Sequence, residues 1–130
     1  LKPIKKISTK EFPGYPTDLQ AQLIATQLKS ALKSKVVENI FENRFIHIPE
    51  LRRFGANLSI IGKTVTIHKT LNLFGAEVMA TDIRASFSLI IAAMMSKGTT
   101  VINRIYHLDR GYEDFDLKLK KCGVNISRKK

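Results

Sequence analysis

The tripeptide Thr17-Asp18-Leu19 returns as Thr81-Asp82-Ile83, 64 residues further on, and Val37-x-Asn39 returns at the same offset as Val101-x-Asn103. The second copy then gains about four residues in a loop, after which Leu51 to Gly55 corresponds to Leu119 to Gly123. Each copy reads in one order: helix, strand, short helix, strand. Units of this kind cannot bury their own apolar faces, so the recurrence predicts an α/β fold of duplicated, pseudo-symmetric modules. The first module is placed at about 9–68 and the second at about 73–128.

The second module begins at Val78-Met79-Ala80-Thr81-Asp82-Ile83-Arg84-Ala85-Ser86, an apolar strand running into a helix. Thr81 and Asp82 have side-chain oxygens that accept hydrogen bonds from the free N–H groups of a helix start. Behind them Ile83, Phe87, Ile90, Ile91, Met94 and Met95 recur at helical spacing, and Ala85, Leu89, Ala92 and Ala93 leave few polar positions opposite. Such a helix is expected to be enclosed by neighbouring elements, with Lys97-Gly98 closing it. Arg84 stands in its first turn, where the helix dipole disfavours a cation by about 0.3–1 kcal/mol. A compensating anion is therefore expected, either Asp82 or a phosphate or carboxylate bound at the helix N-terminus.

Elsewhere Leu1 to Ser8 alternates weakly as a strand, and Glu11 to Pro16 is turn-rich. Thr17-Asp18 opens a helix with Leu19, Leu23, Ile24, Leu28, Ala31 and Leu32 on one face. Lys35 to Phe41 reads as a strand and Glu42 to Phe45 as the following loop. Pro49 suits the first turn of a short helix through Arg53, ended by Gly55. Asn57 to Ile61 and Thr64 to His68 form a hairpin around Gly62-Lys63.

With 130 residues, 44% of them hydrophobic, the chain supports one sizeable core. Twenty-two Lys and Arg against 11 Asp and Glu give +11, which favours anionic partners. The charge is scattered and the chain has no Trp, so nucleic acid is not the expected partner. The longest apolar run, Leu89 to Met95, is too short to cross a bilayer, and no membrane partner is expected. Leu1 is not a natural start, and the chain is expected to be a piece of something longer. The single cysteine, Cys122, excludes a disulfide framework and fits a reducing compartment, the cytoplasm. It reads as a small filler at a helix end. His47, His68 and His107 lack metal-ligand spacing, and His47 and His107, in apolar contexts, read as packed or hydrogen-bonded. No metal or cofactor is expected.

Arg44, Arg84 and Arg110 each lie beside a strand–helix junction, with Glu42, Asp82 and Asp109 as acidic neighbours. If the modules bring these junctions to one edge, three guanidiniums converge on a cleft suited to phosphate or carboxylate. The alternative is three surface ion pairs, each worth little.

Four segments together resemble a known family: Gly14-Tyr15-Pro16-Thr17-Asp18-Leu19-Gln20-Ala21-Gln22; Phe41-Glu42-Asn43-Arg44-Phe45 with His47-Ile48-Pro49-Glu50-Leu51; Val78 to Ser86; and Arg104-Ile105-Tyr106-His107-Leu108-Asp109-Arg110-Gly111-Tyr112-Glu113. They are similar, in order, to the enolpyruvyl transferases that act on UDP-N-acetylglucosamine at the first step of bacterial peptidoglycan synthesis. The similarity runs from about Lys2 to the C-terminus and covers roughly the last third of the family's length.

The resemblance implies an inside-out, pseudo-threefold domain with helices enclosed by sheets, of which residues 1–130 would form a part holding two units. It implies attack of the 3-hydroxyl of UDP-N-acetylglucosamine on phosphoenolpyruvate, a tetrahedral phosphate adduct and loss of phosphate. Carried over by motif, Asp18 meets the sugar hydroxyl as general base and Ile40 lines the UDP-sugar site. Arg110 clamps phosphoenolpyruvate, and Arg44, Asp82 and Arg84 line the cleft. The family's mobile-loop cysteine, its general acid and the target of fosfomycin, has no match here, and neither does its N-terminal Lys-Asn pair; Cys122 is not that cysteine. The family often has Gly where this chain reads Ala31-Leu32-Lys33-Ser34, so that turn is expected to be longer or frayed. The rest of the polypeptide is implied as a partner in completing the site. The shikimate-pathway enolpyruvyl transferase, with the same fold and reaction type, and a binding-only module are the alternatives.

Overall fold

The computed structural model describes residues 2–129. Within them, strand β1 (Lys6–Ser8) pairs in parallel with β2 (Ser34–Val37), and helix α1 (Gln20–Gln27) lies between the two in sequence. Helix α2 (Ile48–Arg53) then leads to the hairpin β3 (Leu58–Ile61) and β4 (Thr64–Ile67), which completes a sheet in the order β1-β2-β4-β3. The second half opens alike. Strand β5 (Glu77–Met79), helix α3 (Ile83–Met95) and strand β6 (Val101–Asn103) make another parallel crossover, with β5 and β6 forming a two-stranded sheet. Helices α4 (Tyr106–Asp109) and α5 (Phe115–Lys121) follow.

Local chemistry accounts for several boundaries. Pro49 stands in the first turn of α2, where its missing N–H is no loss, and Gly55 takes φ 88° just past the end. Gly62, at φ 57°, turns the two-residue β3–β4 loop between the paired Ile61 and Thr64. Asp82 caps α3 by accepting a hydrogen bond from the Ala85 N–H at 2.8 Å.

Packing decides the rest. Helices α1 and α3 lie against each other, and both bury small residues, Ala21 and Ala25 in α1 and Ala85, Ser88 and Ala92 in α3. Small side chains let the helix axes approach closely. The bulky stripe foreseen on α3 is consequently not its most buried face: Leu89 and Ile90 are enclosed, but Ile83 is 36% and Met94 47% exposed. Ile24, Leu28, Val36, Leu51, Phe54 and Leu89 belong to the main core, and Ile90, Leu108 and Phe115 to a smaller one under α4 and α5.

Four elements depart from the sequence reading. Helix α1 stops at Gln27 rather than reaching Leu32, which is 54% exposed, and no glycine ends it. Strand β2 ends at Val37 because Glu38 turns inward and the chain peels away into the 39–47 loop. Helix α3 ends at Met95, with Ser96 already extended, ahead of Lys97-Gly98. Residues 124–129 form no strand after Gly123. There Arg128 reaches back to Asp109 and Asp116, and Ile126 packs on the smaller core. No helix among the described residues is long and apolar enough to cross a membrane.

Candidate active site

The site lies where the turn before α1 meets the N-terminus of α3. Pro16 leads into a tight 3₁₀ turn, Thr17–Leu19, closed by the Leu19 N–H donating to the Pro16 carbonyl at 3.2 Å. This geometry leaves the Asp18 side chain without a capping bond, so Asp18 is not the helix cap that its counterpart Asp82 is. Its carboxylate points out instead, 59% exposed, and takes the Arg84 Nε at 2.6 Å. The Arg44 Nη1 stands 4.0 Å from the same Asp18 oxygen. The anion that offsets Arg84 is therefore Asp18, across the helix interface, and not Asp82, whose Oδ1 is committed to the Ala85 N–H.

A cavity of about 240 Å³ opens here, lined by Thr17, Gln20, Arg44, His47, Asp82 and Arg84 among others. A larger, shallower one of about 840 Å³ runs along the 38–46 loop to Ile60 and Lys63 and includes Ile40. Glu42, Asn43, Arg44 and Ile46 belong to both walls. Asn43 takes φ 53°, which swings the loop so that Arg44 faces Asp18 while its guanidinium covers the Phe41 ring at 4.2 Å.

Of the residues singled out from sequence, Asp18, Arg44, Asp82 and Arg84 come together, and Ile40 lines the adjoining cavity. Arg110 lines neither cavity. It ends α4 with its guanidinium 5.9 Å from the centre of the Tyr106 ring, and no carboxylate among the described residues pairs with it. Asp109, expected beside it, is held by Arg128 at 2.6 and 3.0 Å. The next residue, Gly111, lies against Ile83, where an added Cβ would come within 2.6 Å of the Ile83 Cγ2. The Arg110 turn thus abuts the first turn of α3. Glu42 forms no ion pair with Arg44 among the described residues, so none of the three neighbouring pairs foreseen from sequence is made.

Two buried polar groups escaped the sequence reading or were only half read. Glu38, 3% exposed, accepts from the Thr9 and Thr17 hydroxyls, both at 2.8 Å, and from the Ile40 N–H at 2.9 Å. Burial works to raise its pKa, but these donors and the Phe41 N–H outweigh it, and the net shift is downward. An acid next to a strand end carries no local signal of burial. His47 is buried as expected, but its Nε2 has no hydrogen-bond partner among the described residues; burial lowers its pKa to about 4, against the charge of Asp82. His107 is half-buried beside the Tyr106 ring. Cys122 is exposed and so fills no core space. Among the described residues no group of three His, Cys, Asp or Glu is placed to hold a metal.

Residues 1–119 match the model of the EPSP synthase (3-phosphoshikimate 1-carboxyvinyltransferase) family. The chain is 56% identical over 122 residues to a UDP-N-acetylglucosamine 1-carboxyvinyltransferase of Rhodopseudomonas palustris (strain TIE-1), covering 94% of this chain and 28% of that protein. It is 55% identical over the same length to the protein of that name from Pelagibacter ubique (strain HTCC1062), covering 29% of it. Among solved structures, the enolpyruvyl transferase NikO from Streptomyces tendae superposes with a TM-score of 0.87 over 98% of this chain and 29% of its own, at 27% identity. The chain thus spans less than a third of the length of the relatives it matches. The α/β architecture, the extent of the family match and these relatives agree that the chain belongs to the EPSP synthase family of carboxyvinyltransferases.

Proposed function

We propose that the chain is part of a UDP-N-acetylglucosamine 1-carboxyvinyltransferase and supplies one wall of its active site. The observation that carries this reading is the Asp18 carboxylate set beside Arg84 and Arg44, two arginines that line one cavity. The identity of the relatives favours a UDP-sugar acceptor over 3-phosphoshikimate.

In this reading Asp18 accepts the proton of the sugar 3-hydroxyl as that oxygen bonds to C2 of phosphoenolpyruvate. The methylene carbon takes a proton from an acid outside this chain, giving the tetrahedral adduct. Breaking the C2–O bond to phosphate and removing a methyl proton then restores the double bond. Arg44 and Arg84 offset the negative charge of phosphate and carboxylate, with Arg110 joining them from the turn against α3. Asp82 holds the helix carrying Arg84, and Ile40 lines the UDP-sugar groove. The two crossovers are read as the two units, about 9–68 and 73–128, of a pseudo-threefold domain. The proposed substrates are highly charged and fit an aqueous compartment, and the reading assigns the reaction to the cytoplasm at the head of peptidoglycan synthesis.

The test is phosphate release from phosphoenolpyruvate by the complete protein containing this chain, with each acceptor in turn. UDP-N-acetylglucosamine is expected to support turnover. Preference for 3-phosphoshikimate would move the protein to the sibling activity, and nucleotide-sugar binding without phosphate release would leave a binding module.

A further inference from the structure

Glu38 stands at the end of β2, inside the protein, with no cation pairing with it among the described residues. One carboxylate oxygen accepts from the Thr9 hydroxyl and from the Ile40 and Phe41 N–H groups at 2.8, 2.9 and 3.3 Å. The other accepts from the Thr17 hydroxyl at 2.8 Å and the Gln20 Nε2 at 3.3 Å. Burying an ionised carboxylate is costly unless every lone pair is met. Here neutral donors from three separate stretches meet it. Where a chain accepts so expensive a group away from any counter-ion, function is the usual reason.

The donors show what that function is. Ile40 and Phe41 begin the loop that carries Arg44, whereas Thr17 and Gln20 flank Asp18, one in the turn before α1 and the other as the first residue of α1. Those segments are joined by no strand pairing, since β2 has ended at Val37. Two long contacts join them directly, Gln20 Nε2 to the Arg44 carbonyl at 3.5 Å and Arg44 Nη1 to Asp18 at 4.0 Å; the shorter bonds all run through Glu38. Behind it Thr9 extends the network: its hydroxyl also accepts from the Asn39 N–H at 2.8 Å, and its carbonyl accepts from the Asn39 Nδ2 at 3.3 Å.

We propose that Glu38 is a positioning residue of the transferase site, a buried carboxylate whose two oxygens hold the Arg44 loop and the Asp18 turn at the spacing the reaction needs. This rests on the transferase reading above. Glu38→Gln keeps the shape but turns an N–H₂ toward donors, so one of the two segments is released. Misplacement of about 1 Å suffices for a loss on the order of 10²-fold in rate.

The experiment uses the complete protein containing this chain, with active sites titrated so that kcat refers to folded enzyme. Glu38→Gln is expected to lower kcat by about 10²-fold and to weaken UDP-N-acetylglucosamine binding about tenfold. Thr9→Val, which removes a donor outside both cavities, should lower kcat/KM by about tenfold, and Thr9→Ser should retain the wild-type value. A lower melting temperature with unchanged kcat and nucleotide-sugar Kd in Glu38→Gln would reduce Glu38 to a structural group. Should Glu38→Gln not fold, the Thr9 pair decides, and equal kcat/KM in Thr9→Val and Thr9→Ser overturns the inference. A wild-type protein inactive with both substrates overturns the transferase reading and this one together, whereas an active wild type with unaffected variants overturns this inference alone.

Discussion

The Arg84 Nε stands 2.6 Å from an Asp18 carboxylate oxygen, an ion pair that ties the first turn of α3 to the turn before α1. Both side chains are about half exposed, 46% and 59%, so the pair is worth under about 1 kcal/mol to folding. Its importance is positional: it fixes the Asp18 carboxylate against a guanidinium that lines the cavity.

Asp18→Asn separates folding from chemistry. Because Asp18 makes no capping bond, both Asp18→Asn and Asp18→Ala should change stability by less than about 1 kcal/mol. An amide cannot take a proton from a sugar hydroxyl, and kcat should fall by about 10²–10⁴-fold. Melting temperature and kcat of the complete protein check both halves, and a near-normal kcat would remove Asp18 from the chemistry.

Arg110→Ala tests the third arginine. Lacking a carboxylate partner among the described residues, Arg110 should be dispensable for stability. If it clamps phosphoenolpyruvate, its loss removes a charge-assisted contact worth about 1.5–3 kcal/mol, seen as a raised phosphoenolpyruvate KM or a lowered kcat. Unchanged steady-state kinetics would exclude it from the site.

His47 makes stability depend on pH in a window that opens above the range of the carboxylates. Its folded pKa of about 4 lies below the ordinary value of 6.5, so the unfolded chain takes up the proton first as pH falls. Stability present above pH 6.5 should be lost progressively down to about pH 4, by roughly 3 kcal/mol in all. Urea midpoints of the wild type should fall between pH 7 and pH 5 while those of His47→Gln stay flatter. Parallel curves would disprove the assignment.

Gly75→Ala probes the join between the halves. The Gly75 N–H donates to the Lys97 carbonyl at 2.7 Å, and a Cβ would be driven into the Thr99 backbone. Backbone cannot yield as a side-chain tip does, so a loss of about 1–3 kcal/mol is expected. Thermal melting would show it, and a wild-type Tm would mean that the Thr99 segment moves freely.

Loss of Arg128 should loosen the C-terminal strap. Hydrogen bonds from Arg128 hold the Asp109 and Asp116 carboxyls below their usual range, so the strap should be present at neutral pH and weaken as those carboxyls protonate in acid. Hydrogen exchange at Tyr112 and Phe115 should quicken in Arg128→Ala, and unaltered exchange would count against it.

What the chain determined by itself was local or periodic. Pro49 and Gly55 bracket α2, Gly62 turns a hairpin, and Asp82 starts α3, because each depends on backbone preferences or on hydrogen bonds within three residues. The family motifs implied one cleft for Asp18, Arg44, Asp82, Arg84 and Arg110; the first four come together, whereas Arg110 lines neither cavity. Partner choice was not legible. Asp82 is nearer to Arg84 in sequence, but its oxygen is taken by its own helix, and only the close packing of α1 on α3 brings Asp18 within reach. The same holds for Glu38: as an acid at a strand end it reads as solvent-facing. Its burial follows from three segments that converge only when the end of β1, the start of α1 and the 39–44 loop have packed around it. Local preferences act over a few residues and can be read along the chain; the pairing of charges is decided by which surfaces the apolar core brings together.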